Sequence, residues 1–368
     1  MKKIPIAVVG LKHGMASVLE VLSQPEFELV AVCSKTRDSY EYLCGKSIPG
    51  KLDSVTFTEG REILIEKCRR LKDFSTVEFY ADFNRLLENK DIEAVIVAVP
   101  ITLNAEFPIR ALKKNKHVFA SKPFALTLRQ AIELKETAIR ARKKFMVGFQ
   151  FRYSPLMRNI KQQLDRGAIG KLQVIWWNMF RMPFRGVYSR RELSGGPFIA
   201  ENCHWFDLFG LFNGEQRFRK ACAFGGLDVL KDRQEIDDNA VCIVEYENAV
   251  RASLNFTYFT DQPEHVLFGL VGDQGKITAT TEKAGSYILY NGKEKNRTEF
   301  IVNPVLARQG DLGFDEIHRV FAEVILKDLD INEAEASRGF ENFLVTLAAQ
   351  MSVDQGKIIG RDEALRSG

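Results

Sequence analysis

Ala94-Val95-Ile96-Val97-Ala98-Val99-Pro100 and, after an interval of helical spacing, Lys116-His117-Val118-Phe119-Ala120-Ser121-Lys122-Pro123 are the stretches that decide the fold. The periodicity predicts strands over 94–99 and 116–120 with a helix over 104–113 between them. Strands with so few polar positions suit a parallel sheet covered on both faces. Lys122 stands out: a lysine is a poor choice for the closed end of an apolar strand unless its ammonium has a task there. Pro123 restricts the backbone of the lysine before it.

Working outward, the same alternation predicts strands over 6–9, 28–33 and 145–148 and helices over 15–23, around 81–88 and over 126–142. This is α/β, with an N-terminal Rossmann-type parallel sheet and ligands expected beyond the carboxyl ends of the strands. From 44 to 77 the chain makes an excursion longer than a usual connection, with a helix over 61–71; it reads as an insertion near the nucleotide edge. Beyond Gln150 the texture changes to strands over 172–180, 240–246, 250–259, 265–271, 276–280 and 286–290. Asn291-Gly292 after the last is a strong hairpin signal. Two closing helices carry apolar stripes, Phe314, Ile317, Phe321 and Val324 on one and Phe340, Phe343, Leu344, Leu347 and Met351 on the other, which read as core. The expected division falls between residues 1–149 and residues 150–368, the second domain being built on an antiparallel sheet.

At 368 residues, two domains are the natural expectation. The 52 basic and 48 acidic residues leave a formal charge of only +4, which argues against nucleic acid or a membrane surface as partner. The densest basic run, Arg140-Ala141-Arg142-Lys143-Lys144, suits a solvated helix end. Cys33, Cys44, Cys68, Cys203, Cys222 and Cys242 form no CxxC pair, so no zinc or iron–sulfur site and no other metal is expected, and free thiols in a reducing compartment are. The chain enters a strand almost at once and has no run of 18 apolar residues, so a soluble, cytoplasmic protein is expected.

Val8-Val9-Gly10-Leu11-Lys12-His13-Gly14-Met15 joins strand to helix through a plausible phosphate-binding turn, which places Gly10, Leu11, Lys12, His13 and Gly14 at a cofactor. It departs from a full GxGxxG fingerprint, having Lys12 and Met15 where the second and third glycines would stand. Past the second strand come Ser34, Lys35 and Arg37. A hydroxyl and two cations suit a ribose 2′-phosphate, so NADP is expected in preference to NAD. Asp38 at the strand tip would instead favour NAD. Val99, Pro100 and Asn104 fall near the nicotinamide side, Asn104 either as a helix cap or as a cofactor contact. His204 follows Gly195-Gly196-Pro197 inside an apolar helix. A fixed cation at Lys122 and an imidazole at His204 suit proton management during hydride transfer; the duller alternatives are a surface lysine and a satisfied buried histidine.

The sequence resembles the Gfo/Idh/MocA family, the glucose–fructose oxidoreductase and inositol dehydrogenase group. The likeness runs from the Gly10 turn through 81–87, 91–100 and 116–123 to Gly148-Phe149-Gln150-Phe151-Arg152-Tyr153-Ser154-Pro155, Gly195-Gly196 with His204 and Asp207, and Ser352-Val353-Asp354-Gln355-Gly356. The resemblance implies a nicotinamide cofactor with Lys122 near the reacting carbon and Ser121 beside it, His204 as the catalytic histidine, and Gln150 and Arg152 at the cleft. It also implies that residues 1–149 form a dinucleotide-binding domain and 150–368 a substrate-binding and oligomerisation domain, an α/β domain with a large open, mainly antiparallel sheet, and with them a sugar, polyol or related substrate and a homodimer or homotetramer. Two positions depart from the family pattern: Ser121 replaces a glutamate before lysine–proline, and Ala200 replaces an acidic residue four before the histidine. Glu201, three before His204, could orient the imidazole from a shifted place. Asp207 either faces the same cleft or bonds nearby backbone.

Strand alternation puts Trp176, Asn178 and Phe180 on one side and Trp177, Met179 and Arg181 on the other. Trp176, Asn178, Arg181 and Tyr188 are candidate substrate contacts, although such residues suit a subunit interface equally. Arg152, Arg181, Arg185, Arg190 and Arg191 keep an acidic sugar derivative open as substrate. The expected function is NAD(P)-dependent oxidoreduction of a CH–OH or carbonyl group. NAD-assisted elimination or glycoside cleavage, and nucleotide sensing without turnover, are the alternatives.

Overall fold

The structure, a computed structural model, describes residues 3–12, 14–46, 61–260, 265–281, 285–302 and 312–367. It divides into two compact units: residues 1–125, 130–148 and 314–339 form the first, and 126–129, 149–313 and 340–368 the second. Among the described residues no helix is long and apolar enough to cross a membrane.

The first unit is built on six parallel strands: β1 (Ile4–Val9), β2 (Phe27–Cys33), β3 (Glu78–Tyr80), β4 (Ala94–Val97), β5 (His117–Ser121) and β6 (Phe145–Gly148). Their spatial order is β3-β2-β1-β4-β5-β6, so the direction of winding reverses between β1 and β4. Helices α1 (Met15–Ser23), α2 (Asp38–Leu43), α3 (Arg61–Leu71), α4 (Phe83–Glu88), α5 (Glu106–Lys113) and α6 (Leu128–Arg140) follow the strands. The register aligns Val9 with Cys33 and Val97, Val97 with Ala120, and Ser121 with Gly148. The carboxyl ends therefore finish in one row. Of the long excursion, α3 packs Ile65 and Cys68 inward, while residues 47–60 lie outside the described residues.

Residues 314–339 were expected in the second domain and belong to the first unit. The reason is packing. In α10 (Phe314–Leu326) the His318 imidazole stacks on Phe119 with centroids 4.7 Å apart, and Phe321 meets Phe119 at 5.6 Å and Phe27 at 6.3 Å. At the start of α11 (Asn332–Gln355), the Asn332 side chain accepts from Phe145 N at 2.9 Å and donates to the carbonyls of Ala138, Ala141 and Lys143. Glu335 accepts from Val147 N at 3.0 Å. Those bonds satisfy backbone groups at the edge strand β6 that no further strand pairs.

The second unit opens with α7 (Pro155–Asp165), whose first turn is prepared by Ser154 as cap and Pro155 at the first helical position. Its strands are β7 (Leu172–Phe180), β8 (Phe218–Gly226), β9 (Asn239–Tyr246), β10 (Arg251–Thr257), β11 (His265–Gly272), β12 (Gly275–Thr280), β13 (Ser286–Asn291), β14 (Asn296–Ile301) and β15 (Ile359–Gly360). Helices α8 (Arg191–Ser194), α9 (Cys203–Phe212) and α12 (Arg361–Ala364) complete it. The strand order is β14-β13-β12-β11-β7-β10-β9-β8-β15. The sheet is mixed rather than purely antiparallel, because β7 and β10 run parallel, with Trp177 beside Leu254. The chain leaves β7, lays down α8, α9, β8 and β9, and only then returns beside it, a crossover that strand patterns alone do not reveal. The Asn291-Gly292 hairpin is present between β13 and β14, but its loop spans four residues. The Asn291 side chain accepts from Lys293 N at 3.0 Å and Glu294 N at 3.3 Å, and Lys295 takes a left-handed φ of 50°.

Alternation along β7 buries Ile175, Trp177 and Met179 and leaves Val174, Trp176, Asn178 and Phe180 on the opposite, open face. The buried face carries the core. Trp177 stacks on Phe268 at 4.0 Å and Trp205 at 5.2 Å, and meets Phe209 edge-on at 5.9 Å. Each such side chain, fully buried, contributes about 1.5–3 kcal/mol.

Two buried histidines make stability pH-dependent. His117 Nδ1 accepts from Lys144 N at 3.0 Å, which requires the unprotonated nitrogen, and burial with the nearby Lys143 lowers its pKa to about 4. Burial likewise lowers His318 to about 4, against the opposing bond to Phe314 O. Both titrate near 6.5 when unfolded, so between about pH 6.5 and 4 the unfolded chain binds more protons and stability is lost as pH falls. Urea unfolding between pH 7.5 and 4.5 should show that loss, with a shallower slope in His117→Asn. A flat profile across this window would contradict neutral buried imidazoles.

Candidate functional site

In the first unit the row of strand ends gathers most of the expected cofactor residues. Gly10, just past β1, has a φ of +94° and donates to Cys33 O at 2.8 Å. A Cβ there would stand 2.2 Å from the Ala98 carbonyl oxygen, and one on Gly14 would stand 2.0 Å from Gly10 O. Neither position admits a side chain. Gly14 caps α1 without a side-chain hydrogen bond, so no side chain competes for the first N–H groups of the helix. That Cβ-free cradle before a helix N-terminus fits the pyrophosphate of a dinucleotide. Leu11 is fully buried and is core rather than lining, Lys12 is exposed, and His13 lies outside the described residues.

Ser34 occupies the tip of β2, its N–H bonded to Tyr80 O at 3.1 Å, while Asp38 belongs to the first turn of α2. Lys35 and Arg37 are exposed, and the Arg37 guanidinium lies 4.8 Å over the Phe79 ring and 5.7 Å from that of Tyr40. Burial and the Asp82 carboxylate push the Cys33 thiol up to about 12, so it stays neutral beneath this edge. Past β4, Val99 is half-buried and Pro100 exposed.

Lys122 follows β5 directly, half-buried, and its peptide bond to Pro123 is cis. Asn104 is not the cap of α5, a place held by Ala105. Its Nδ2 instead donates to Ser121 O and Pro123 O, each at 3.0 Å, bracing the two carbonyls on either side of Lys122. Asn104 is 1% exposed and Ser121 enters through its backbone, so both act on the lysine turn.

In the second unit His204 is the second residue of α9, 3% exposed. Phe151 meets its ring edge-on at 4.7 Å and Phe149 at 6.3 Å. Gln150, between those two phenylalanines in sequence, is buried at the start of a short 3-10 turn. The turn before His204, Phe198–Asn202, is π-helical, a local widening frequent at functional sites. It is pinned from two sides: Tyr258 Oη donates to Asn202 Oδ1 at 3.1 Å, and Asn342 Nδ2 donates to Cys203 O at 2.7 Å.

The π turn changes the expectation for Glu201. Three residues before His204 no longer means one face of a regular helix, and the Glu201 carboxylate receives Arg181 Nη1 in an ion pair. Arg152 and Asp207 are likewise engaged with each other. Arg152 Nε donates to Asp207 Oδ2 at 2.6 Å, and its Nη2 donates to Asp207 O at 3.2 Å and Glu215 Oε1 at 2.7 Å, with both partners of the first pair almost wholly buried. Tyr188 stacks on Phe184 at 6.4 Å in the segment after β7. Trp176 and Asn178 belong to the face of β7 that does not pack on the helices, away from the Trp177 face on which α9 packs, and Asn178 Oδ1 accepts from Asn255 on neighbouring β10 at 2.6 Å. Sequence reasoning missed Asn202, Tyr258 and Asn342, which come from three distant segments and carry no spacing signal. Among the described residues no group of His, Cys, Asp and Glu could hold a metal.

The buried pair invites a direct test. Breaking one partner strands the other charge, so Asp207→Asn should cost about 3 kcal/mol in denaturant unfolding. The double variant Arg152→Met, Asp207→Leu should recover most of it. A stability-neutral Asp207→Asn would return these residues to the role of solvated substrate contacts.

Residues 57–149 match the profile described as an oxidoreductase family with an NAD-binding Rossmann fold, and residues 157–278 match the GFO/IDH/MocA C-terminal domain. Myo-inositol 2-dehydrogenase of Thermotoga maritima is 24% identical over 313 residues, covering 82% of this chain and 89% of that protein. GenD2 from gentamicin A biosynthesis, solved in complex with NAD, aligns over 98% of this chain and 97% of its own with a TM-score of 0.76 at 16% identity. A variant of KijD10, a 3-ketoreductase from Actinomadura kijaniata solved with TDP-benzene and NADP, aligns over 95% of this chain and 98% of its own with a TM-score of 0.73 at 18% identity. These structural likenesses establish a shared fold.

Proposed function

The chain belongs to the Gfo/Idh/MocA oxidoreductase family, and from that premise we propose an NAD(P)-dependent dehydrogenase or reductase of a sugar or polyol CH–OH group in which Lys122 and His204 are the catalytic residues. The observation that carries this reading is the placement of Lys122 in the same row of strand ends as the Cβ-free Gly10 turn, with Asn104 bracing the carbonyls on either side of it. The inositol-acting relative supports the substrate class.

A bound nicotinamide supplies the hydride acceptor or donor. The protein supplies position, charge and a proton path. In oxidation, the substrate hydroxyl gives its proton to the His204 imidazole as the C–H bond breaks, and in reduction the same ring returns a proton to the oxygen. The Lys122 ammonium stabilises the negative charge that develops on that oxygen. Phe149 and Phe151 exclude water from one side of the imidazole and restrict its rotation. The cradle at Gly10 and Gly14 would hold the pyrophosphate. NADP is the preferred cofactor in this reading, supported by Ser34 just past β2, by Asp38 belonging to α2 rather than to the strand tip, and by the exposed Arg37, which lies 4.8 Å over Phe79 and 3.9 Å from Glu41.

Hydride exchange on a panel of polyols and keto-sugars tests the reading. NADPH should be used at least 10-fold better than NADH, and Arg37→Ala should erase most of that preference. Lys122→Ala and His204→Ala should each lower kcat by about 100-fold or more while cofactor binding survives. Tight cofactor binding with no turnover on any substrate would overturn the dehydrogenase in favour of a sensor.

The protein is further read as a cytoplasmic homo-oligomer assembled through the open face of the second unit's sheet. Val174, Phe180, Val241 and Ile243 share that face, the last two about half exposed at 52% and 50%. Such a patch on one sheet face, spread over β7 and β9 with β10 between them, suits a second copy of the same surface. Light scattering should give about twice 41.8 kDa or more, and Ile243→Glu should shift it toward the single-chain mass. A wild-type protein at the single-chain mass would contradict the assembly.

A further inference from the structure

Five arginines near β7 and α9 left an acidic substrate open, and the structure neutralises four of them. Arg152 is held by Asp207 and Glu215, Arg181 by Glu201, Arg190 by Glu192, and Arg191 by Asp354 and Asp237. Arg185 alone has no carboxylate partner among the described residues, and it faces a concavity of about 340 Å³ together with Arg233, which also has none. The rest of this concavity is formed by Met182, Pro183, Phe184, Gly186 and Ser189. It therefore offers two guanidinium groups without a carboxylate partner beside an aromatic ring.

The concavity is tied to the histidine through contacts within the same unit. Phe184 packs on Tyr258 with centroids 4.1 Å apart, and Tyr258 Oη donates to Asn202 Oδ1 at 3.1 Å, two residues before His204. Arg181, directly before Met182, pairs with Glu201 in that same π turn. The wall of the concavity therefore shares contacts with the turn that positions His204.

We propose that this concavity is a subsite for a phosphoryl group carried by the sugar substrate, the oxygens held between Arg185 and Arg233 and the attached ring lying on Phe184. Guanidinium groups match phosphate oxygens in geometry and in charge, and a site lined by two of them and no carboxylate favours a dianion over a neutral polyol. The assignment of the anion to the substrate rests on the dehydrogenase reading above. The subsite accommodates either a sugar monophosphate or the diphosphate of a nucleotide-linked sugar, which share this chemistry.

Calorimetric titration of the full-length protein with glucose, glucose 6-phosphate and thymidine diphosphate glucose separates the cases without needing turnover. At least one phosphorylated ligand should bind about 10-fold or more tightly than glucose. That ratio should collapse toward one in Arg185→Ala, Arg233→Ala and their combination, and weaken with added salt. Preference for glucose 6-phosphate alone marks a monophosphate, and preference for the nucleotide sugar marks a diphosphate. Equal binding of all three, or a preference that both arginine substitutions leave intact, overturns the subsite. Because both arginines are exposed at the surface, circular dichroism should report an unchanged fold in each variant. A polyol turned over through Lys122 and His204 with no phosphoryl preference would sink this inference and leave the dehydrogenase standing. Arginine-dependent phosphoryl binding with no hydride transfer would do the reverse.

Discussion

The approach of Gly10 to the Ala98 carbonyl is the constraint on which the first unit depends. At that point β1 and β4 part in opposite winding directions, and the backbone of the first turn passes so close that a single methyl group would sit 2.2 Å from an oxygen. The glycine is a steric requirement of the sheet before it is a cofactor residue. Having met it, the fold exposes the start of α1 to an anion at no further cost, and the parallel register sets Ser34, Val99 and Lys122 along the same edge. Asn104 then stiffens the last of these by spending both amide hydrogens on the carbonyls around it.

The second unit solves a different problem, holding a histidine nearly out of solvent inside a strongly apolar helix. The π turn re-aims the start of α9, and Tyr258 and Asn342 hold it there through buried hydrogen bonds. Charges close to the helix are cancelled in pairs, Arg152 with Asp207 and Arg181 with Glu201. Buried pairs of this kind add little net stability compared with a hydrophobic replacement, yet they are costly to break one partner at a time. Arg185 and Arg233, which line one concavity, are not cancelled in this way among the described residues.

Much of this was legible in the sequence, and what was not has physical causes. The strands of the first sheet announce themselves because burial on both faces removes polar residues, as in Ala94 to Val97. The faces of β7 follow from alternation, but alternation could not say which face met the helices; Trp177, not Trp176, turned inward. Spacing failed wherever the backbone left the regular helix. Glu201 sits three residues before His204 in sequence, but it lies in the π turn, where that spacing no longer implies a shared helical face, and its carboxylate pairs with Arg181. The resemblance implies a cleft for Arg152, and for Asp207 either that cleft or nearby backbone, whereas the two pair with each other across 55 residues, a contact visible only after folding. The return of residues 314–339 to the first unit was hidden for the same reason. Phe321 reads as core from its stripe, but nothing local states whose core it joins.

The central claim is that the ends of β1, β2, β4 and β5 bind a nicotinamide dinucleotide with a place for a 2′-phosphate. Titration of the unmodified protein with NADPH, followed by nicotinamide fluorescence, tests it most directly. The account predicts saturable binding at one site per chain, displaced by 2′,5′-ADP and far less by AMP. Displacement by AMP as effective as that by 2′,5′-ADP, or no saturable binding at all, would contradict it.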